Sequence, residues 1–151
     1  MDAKRTLEEN GFLILENLYS PADCKSLMER AEELSLGFNP SDDSTIFQTK
    51  DQSTTTDHYF LSSGDNISFF FEKDAFDHAG QLKSDVFSSL NKIGHALHEL
   101  DPVFNRFTFS DQMKQLMSSL GLKDHHIIQS MMIFKHARIG GEVDVHQDST
   151  F

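Results

Sequence analysis

His146 and Asp148 stand one residue apart in a chain of 151 residues. On an extended strand, residues two apart project to the same face. The spacing therefore presents an imidazole and a carboxylate side by side. That is two-thirds of the two-histidine, one-carboxylate set that holds non-haem Fe(II) and leaves positions open for oxygen and substrate. In a chain with 8 His, chance alone yields roughly one such pair. Spacing by itself favours two polar groups on an exposed strand. No later strand within these residues offers a second histidine, so two ligands would leave the remaining octahedral positions to water. Weak metal binding is the expectation.

Other residues carry weaker signals. Lys92 offers a compact ammonium on a flexible stem, which suits a carboxylate; alone, it reads as an ordinary exposed helix lysine. Met131 on a strand is ordinarily core, and Gln129, two residues earlier, would share its face. His95 and His98 lie three apart on an expected helix and could share a metal. No Cys, Asp or third His accompanies them at ligand spacing, so they read as structural. His125 and His126 are adjacent on extended backbone and point apart. Cys24 reads as a small buried residue rather than a reactive thiol. The chain carries no glycine-rich phosphate loop, G-x-S-x-G elbow or Cys/His pair.

These residues must be positioned by elements that the pattern outlines. Residues 2–10 are helix-like and Gly11 breaks them. Phe12 to Leu15 reads as a short buried strand. Ser20-Pro21-Ala22-Asp23 opens a helix, with Ser20 as cap, and Gly37 ends it. Residues 38–57 carry no hydrophobic period and read as a loop. Tyr59 to Ser62 and Ile67 to Glu72 suggest two strands around Gly64-Asp65-Asn66, and the run Phe69-Phe70-Phe71 suits a strand covered on both faces. From Val86 to Leu100, Leu90, Ile93, Leu97 and Leu100 recur at spacings of three and four, which predicts one helix ending before Pro102. Ser110 caps another helix that ends at Gly121. Ile127 to Lys135 and Glu142 to His146, joined by Gly140-Gly141, read as the last two strands.

Length allows one domain, spanning 1–151. Hydrophobic residues make up 38% of the chain, with 14 Phe and no Trp, which is a globular composition. A formal net charge of −11 argues against nucleic acid, which demands clustered Lys and Arg. The single cysteine excludes an intrachain disulfide and points to a reducing compartment. With no signal peptide and no apolar run near the ~20 residues of a membrane span, the expectation is an intracellular, cytoplasmic protein.

Three stretches taken in order are more specific than any single pair: DHYFLSSGDNISFFFEK (57–73), LNKIGHALHELDPVF (90–104) and residues 128–148. With GFLILENLYSPADC (11–24) as an opening unit, they resemble the phytanoyl-CoA dioxygenase family, over nearly the whole chain but only the amino-terminal part of that family's catalytic domain. The resemblance implies an Fe(II)- and 2-oxoglutarate-dependent dioxygenase with ascorbate as reductant. It would hydroxylate a C–H bond of a small-molecule substrate, an acyl-CoA or another small organic acid. It places metal ligands at His146 and Asp148 and 2-oxoglutarate contacts at Lys92 and Met131. Ser68 stands where close relatives carry a basic residue, so the resemblance does not carry over a substrate contact at that position.

The implied fold is α+β, with helices packed on an incomplete double-stranded β-helix, or jelly-roll. The family's distal histidine, late arginine and tryptophan fall beyond Phe151, so this chain alone is expected to be a truncated, inactive domain. Met131, Ile133 and Val145 are then expected to face missing partners. The rival expectation is a catalytically inactive interaction or dimerisation fragment that associates through open sheet edges.

Overall fold

The computed structural model describes residues 2–40, 45–46 and 58–146. Within them the chain folds as α+β around one small sheet. Helix α1 (Ala3–Asn10) is capped by Asp2 and closed by Gly11 in the left-handed region at φ 77°. Helix α2 (Pro21–Leu36) begins with the expected device: Ser20 and Asp23 cap each other's backbone, and Pro21 fills the first turn. Such reciprocal capping satisfies N–H groups that the first turn leaves without helical partners. Cys24, on this helix, is exposed rather than buried.

The sheet runs in the order β1 (Thr45–Ile46), β2 (Ile67–Phe71), β3 (Leu90–His95), β4 (Ser130–Ile133). Strand β1 pairs with β2 in parallel, while β2–β3 and β3–β4 are antiparallel. Between these strands lie α3 (His58–Leu61), α4 (Val86–Ser89), α5 (Leu97–Leu100), α6 (Pro102–Thr108) and α7 (Asp111–Ser119).

Residue pairing assigns the two faces of the sheet. Phe69, Phe71, Leu90 and Ile93 turn towards α2 and α6 and form the core with Ala31, Leu97, Phe104 and Phe134. Met132, opposite Ile93, packs on the same core. Fully burying a side chain of this size is worth ~1.5–3 kcal/mol, so this face supplies most of the driving force. Phe70 is fully buried too, yet it lies opposite Lys92 on the other face. The expected two-sided burial of Phe69 to Phe71 is what the structure has. Behind the core, Asp101 is 1% exposed. It pairs with Arg30 of α2 at 2.7 Å and accepts the Val103 and Phe104 amides at the start of α6.

Four expected elements differ. The helix expected over 86–100 is instead α4, then strand β3, then α5. Its apolar residues recur at helical spacing because a strand buried on both faces is followed by a helix buried on one. Leu90 through His95 are all buried, and periodicity does not separate such a strand from a helix. Tyr59 to Ser62 belongs to helix α3 and the turn after it. Phe12 to Leu15 forms no strand, and Phe12 and Ile14 are 63% and 75% exposed. Glu142 to His146 is also not a strand; no described strand lies beside it to supply a ladder of hydrogen bonds.

Beyond β4, the described residues leave apolar surface open. Met131, Ile133, Val143 and Val145 are 40%, 47%, 53% and 106% exposed. No helix among the described residues is long and apolar enough to cross a membrane.

Candidate active site

The core-opposed face of the sheet gathers the chemistry. Lys92 sits on β3 between β2 and β4. Directly opposite residues of an antiparallel pair project to one face, so Phe70, Lys92 and Ile133 share it, as do Gly94 and Met131 on the neighbouring rung. The Lys92 ammonium lies 3.7 Å from the Met131 sulfur. It stands 4.9 Å from the centroid of Phe70 and 5.3 Å from that of Phe60, a cation–π arrangement. Lys92 is 4% exposed, not an exposed helix lysine. Burial disfavours its charged form and brings the ammonium down to about 8.

Close approach of Met131 depends on Gly94. A Cβ there would meet Met131 Cγ at 3.0 Å and the Ser130 carbonyl at 3.3 Å. The aromatic wall depends on α3. Tyr59 Oη donates to the Phe69 carbonyl at 3.2 Å and accepts the Phe69 amide at 3.0 Å. The helix is thereby held to β2, and Phe60 is brought over Lys92.

His95 shares those walls, with its ring 5.4 Å from Phe70 and 5.7 Å from Phe60. Ser63 Oγ donates to the Phe60 carbonyl at 2.6 Å, so its oxygen accepts from His95 Nδ1 at 2.8 Å. That assigns the proton to Nδ1 and a lone pair to Nε2. Burial and the Lys92 charge outweigh the Ser63 hydrogen bond and push His95 down to about 4, which keeps it neutral at pH 7. His98 instead turns to Ser130, its Nδ1 and Ser130 Oγ 2.8 Å apart. The two histidines thus make separate structural hydrogen bonds.

His146 occupies a different setting. It is exposed, and its Nδ1 donates to the Asp144 carbonyl at 2.7 Å. A histidine so held presents the Nε2 lone pair, the form that ligates a divalent metal. This donor chemistry fits Fe(II). Among the described residues no three His, Cys, Asp or Glu cluster as a metal site. Asp148 lies outside the described residues. Gln129 is exposed, and His125 and His126 are exposed apart from the sheet face.

The Gly140-Gly141 turn that precedes His146 is fastened from below. Glu72, 2% exposed at the end of β2, accepts the Gly141 amide on both carboxylate oxygens at 3.0 and 3.1 Å. Lys135 Nζ donates to the Gly141 carbonyl. The family resemblance named Lys92 and Met131, which lie side by side here; Phe60, Phe70, Ser63, His95 and Glu72 were not singled out for this site. The one available signal was Glu72, a carboxylate abutting an apolar run that has to be buried.

The phytanoyl-CoA dioxygenase (PhyH) profile matches residues 7–151. The chain belongs to this family. It is 48% identical to a phytanoyl-CoA dioxygenase of Arabidopsis thaliana over 141 residues, which is 93% of this chain and 50% of that protein. It is 43% identical to phytanoyl-CoA dioxygenase domain-containing protein 1 of Mus musculus over 152 residues, 97% of this chain and 52% of the relative. The protein of that name from Danio rerio is 44% identical over 148 residues, 95% and 51%. The chain spans about half the length of the curated relatives it matches.

Proposed function

We propose that the chain forms part of an Fe(II)- and 2-oxoglutarate-dependent dioxygenase that hydroxylates a C–H bond of a small organic acid or its acyl-CoA. The observation that carries this reading is the convergence of Lys92 and Met131 at 3.7 Å under an aromatic wall. A buried cationic donor among apolar side chains suits one carboxylate of a small dicarboxylic acid. The complete reaction would consume substrate, 2-oxoglutarate and O₂ and yield the alcohol, succinate and CO₂.

When bound, Fe(II) would supply the oxygen chemistry. His146 through Nε2, together with Asp148, would hold it. The other groups position and exclude. Lys92 would pair with a carboxylate and fix that end of the co-substrate. Met131, Phe60 and Phe70 would keep water from that ion pair, which strengthens it. In this reading the small sheet belongs to a double-stranded β-helix whose remaining strands complete the domain. With His146 and Asp148 as its only named ligands, the metal would be held weakly and turnover by these 151 residues alone would be absent.

Calorimetric titration of 2-oxoglutarate into the chain with Mn(II) present tests the reading. Binding that disappears in Lys92→Met and weakens above pH 8, where the ammonium loses its proton, is expected. Equal binding by Lys92→Met would overturn the assignment of Lys92.

One observation favours a second reading, an inactive fragment that self-associates. Ile128, Met131 and Ile133 on and beside β4 are 90%, 40% and 47% exposed, an apolar edge of the kind that pairs with another strand. Concentration-dependent dimerisation that Ile133→Lys abolishes would support it.

A further inference from the structure

We propose that Glu72 is a positioning residue for the metal-binding segment, acting through the amide of Gly141. The inference rests on the metal reading of His146 given above. A carboxylate 2% exposed is costly to bury unless its oxygens are satisfied. Glu72 directs both oxygens at a single backbone N–H, 3.0 and 3.1 Å away and 69 residues later in the chain. That amide begins the segment leading to His146.

The turn is shaped for this contact. A Cβ on Gly141 would come within 3.0 Å of Glu72 Oε2, and one on Gly140 within 3.0 Å of the His136 carbonyl. At Gly140 the obstacle is backbone, whereas at Gly141 an added Cβ would push the Glu72 carboxylate aside by a few tenths of an ångström. Asn91 Nδ2, on the central strand, would lie 3.7 Å from the same Gly141 Cβ, so the anchor rests against β3. The Lys135 ammonium holds the carbonyl of the same residue.

Gly141 is thus gripped at both its amide and its carbonyl. Residues 142–146 have no strand ladder of their own, and Val145 and His146 are exposed. The clamp at Gly141 ties the start of the His146 segment to the sheet. Glu72 does not touch the metal in this arrangement; it sets the direction from which His146 arrives.

Supporting contacts of this kind change metal affinity by about 10–100-fold when removed. Mn(II) affinity, read by electron paramagnetic resonance of the free ion, should fall by that factor in Glu72→Ala. It should be largely kept in Glu72→Gln, which retains one acceptor oxygen. Gly141→Ala should fall similarly, because its Cβ forces the carboxylate away. That variant keeps Glu72 itself and disturbs only its contact with Gly141, so it tests the contact even if Glu72→Ala unfolds. The ¹H–¹⁵N resonance of the Gly141 amide should move upfield in Glu72→Ala and return in Glu72→Gln. Unaltered affinity in both Glu72→Ala and Gly141→Ala, with His146→Ala abolishing binding, would overturn the positioning role and leave the metal reading intact. No Mn(II) binding by the unaltered chain, or binding indifferent to His146→Ala, would overturn both.

Discussion

Lys92 and His146 sit within one proposed site but are held in opposite ways. Lys92 is on the central strand, 4% exposed, and ringed by Phe60, Phe70 and Met131, each fixed by its own strand or helix. His146 is exposed on an irregular segment and oriented by a carbonyl two residues away. The first is preorganised by the same packing that stabilises the fold. The second is preorganised locally and tied to the sheet at Gly141. Changes around Lys92 should therefore alter stability and binding together, whereas changes at His146 should separate them.

The largest effect is expected from Asp101→Ala, behind the core face. It leaves Arg30 without its buried partner and removes the cap of α6. Arg30 is partly exposed and keeps Glu33, so the loss is that of the cap, about 1 kcal/mol, and of a charge-assisted hydrogen bond, about 1.5–3 kcal/mol. Burial works against ionisation of Asp101, but hydrogen bonds from Arg30, Phe104 and Val103 outweigh it and hold the carboxyl below its usual range. Its contribution is therefore present above the unfolded value of ~3.9 and is lost as pH falls through the lower folded value. Urea unfolding at pH 7 and in acid checks both statements. A native-like midpoint for the variant would show that the frame behind β3 does not depend on this pair.

Gly94→Ala should come next. Its Cβ would press on Met131 Cγ and the Ser130 carbonyl, and overpacking of this kind costs about 1–3 kcal/mol. It should weaken 2-oxoglutarate binding and leave Mn(II) affinity at His146 unchanged. Equal loss of both ligands would erase the contrast between the two settings.

Lys92→Met sharpens the contrast by its sign. The folded value is about 8 and the unfolded value ~10.4, so between them the unfolded chain binds more protons. Stability of the unaltered chain should rise with pH across that window. The variant lacks this rise and should be more stable at pH 7 by about 1–2 kcal/mol, part of the desolvation relief being offset by lost cation–π contacts. Denaturant midpoints at pH 7 and pH 10 measure it. A destabilised variant at pH 7 would mean that its polar contacts outweigh burial.

The smallest stability effect is expected at His146→Ala, within about 0.5 kcal/mol as for exposed sites generally, with metal binding lost. A large shift in the unfolding midpoint would show that His146 is part of the packed structure.

The sequence told most where local chemistry decides the outcome. Ser20, Pro21 and Asp23 start α2, Ser110 caps α7, and Gly11 ends α1, because caps and breakers act within one turn. It misled where burial decides. Leu90, Ile93 and Leu97 satisfy a helical period while lying on a strand and the helix after it. Lys92 and Met131 were named through family resemblance alone; a separation of 39 residues closed to 3.7 Å has no local signature. Phe60, Ser63 and Glu72 were out of reach for the same reason, since each acts on a residue at least 32 positions away.

Strand β4 alternates Met131 towards Lys92 with Met132 towards the core. Because a strand has a period of two, sliding it by one residue would exchange the two methionines. Met132 would leave the core and Met131 would leave the ammonium in the same movement. Hydrophobic packing therefore proofreads the alignment that the proposed binding depends on. A variant that keeps its core keeps the sulfur beside the lysine, and the two properties are inherited as one.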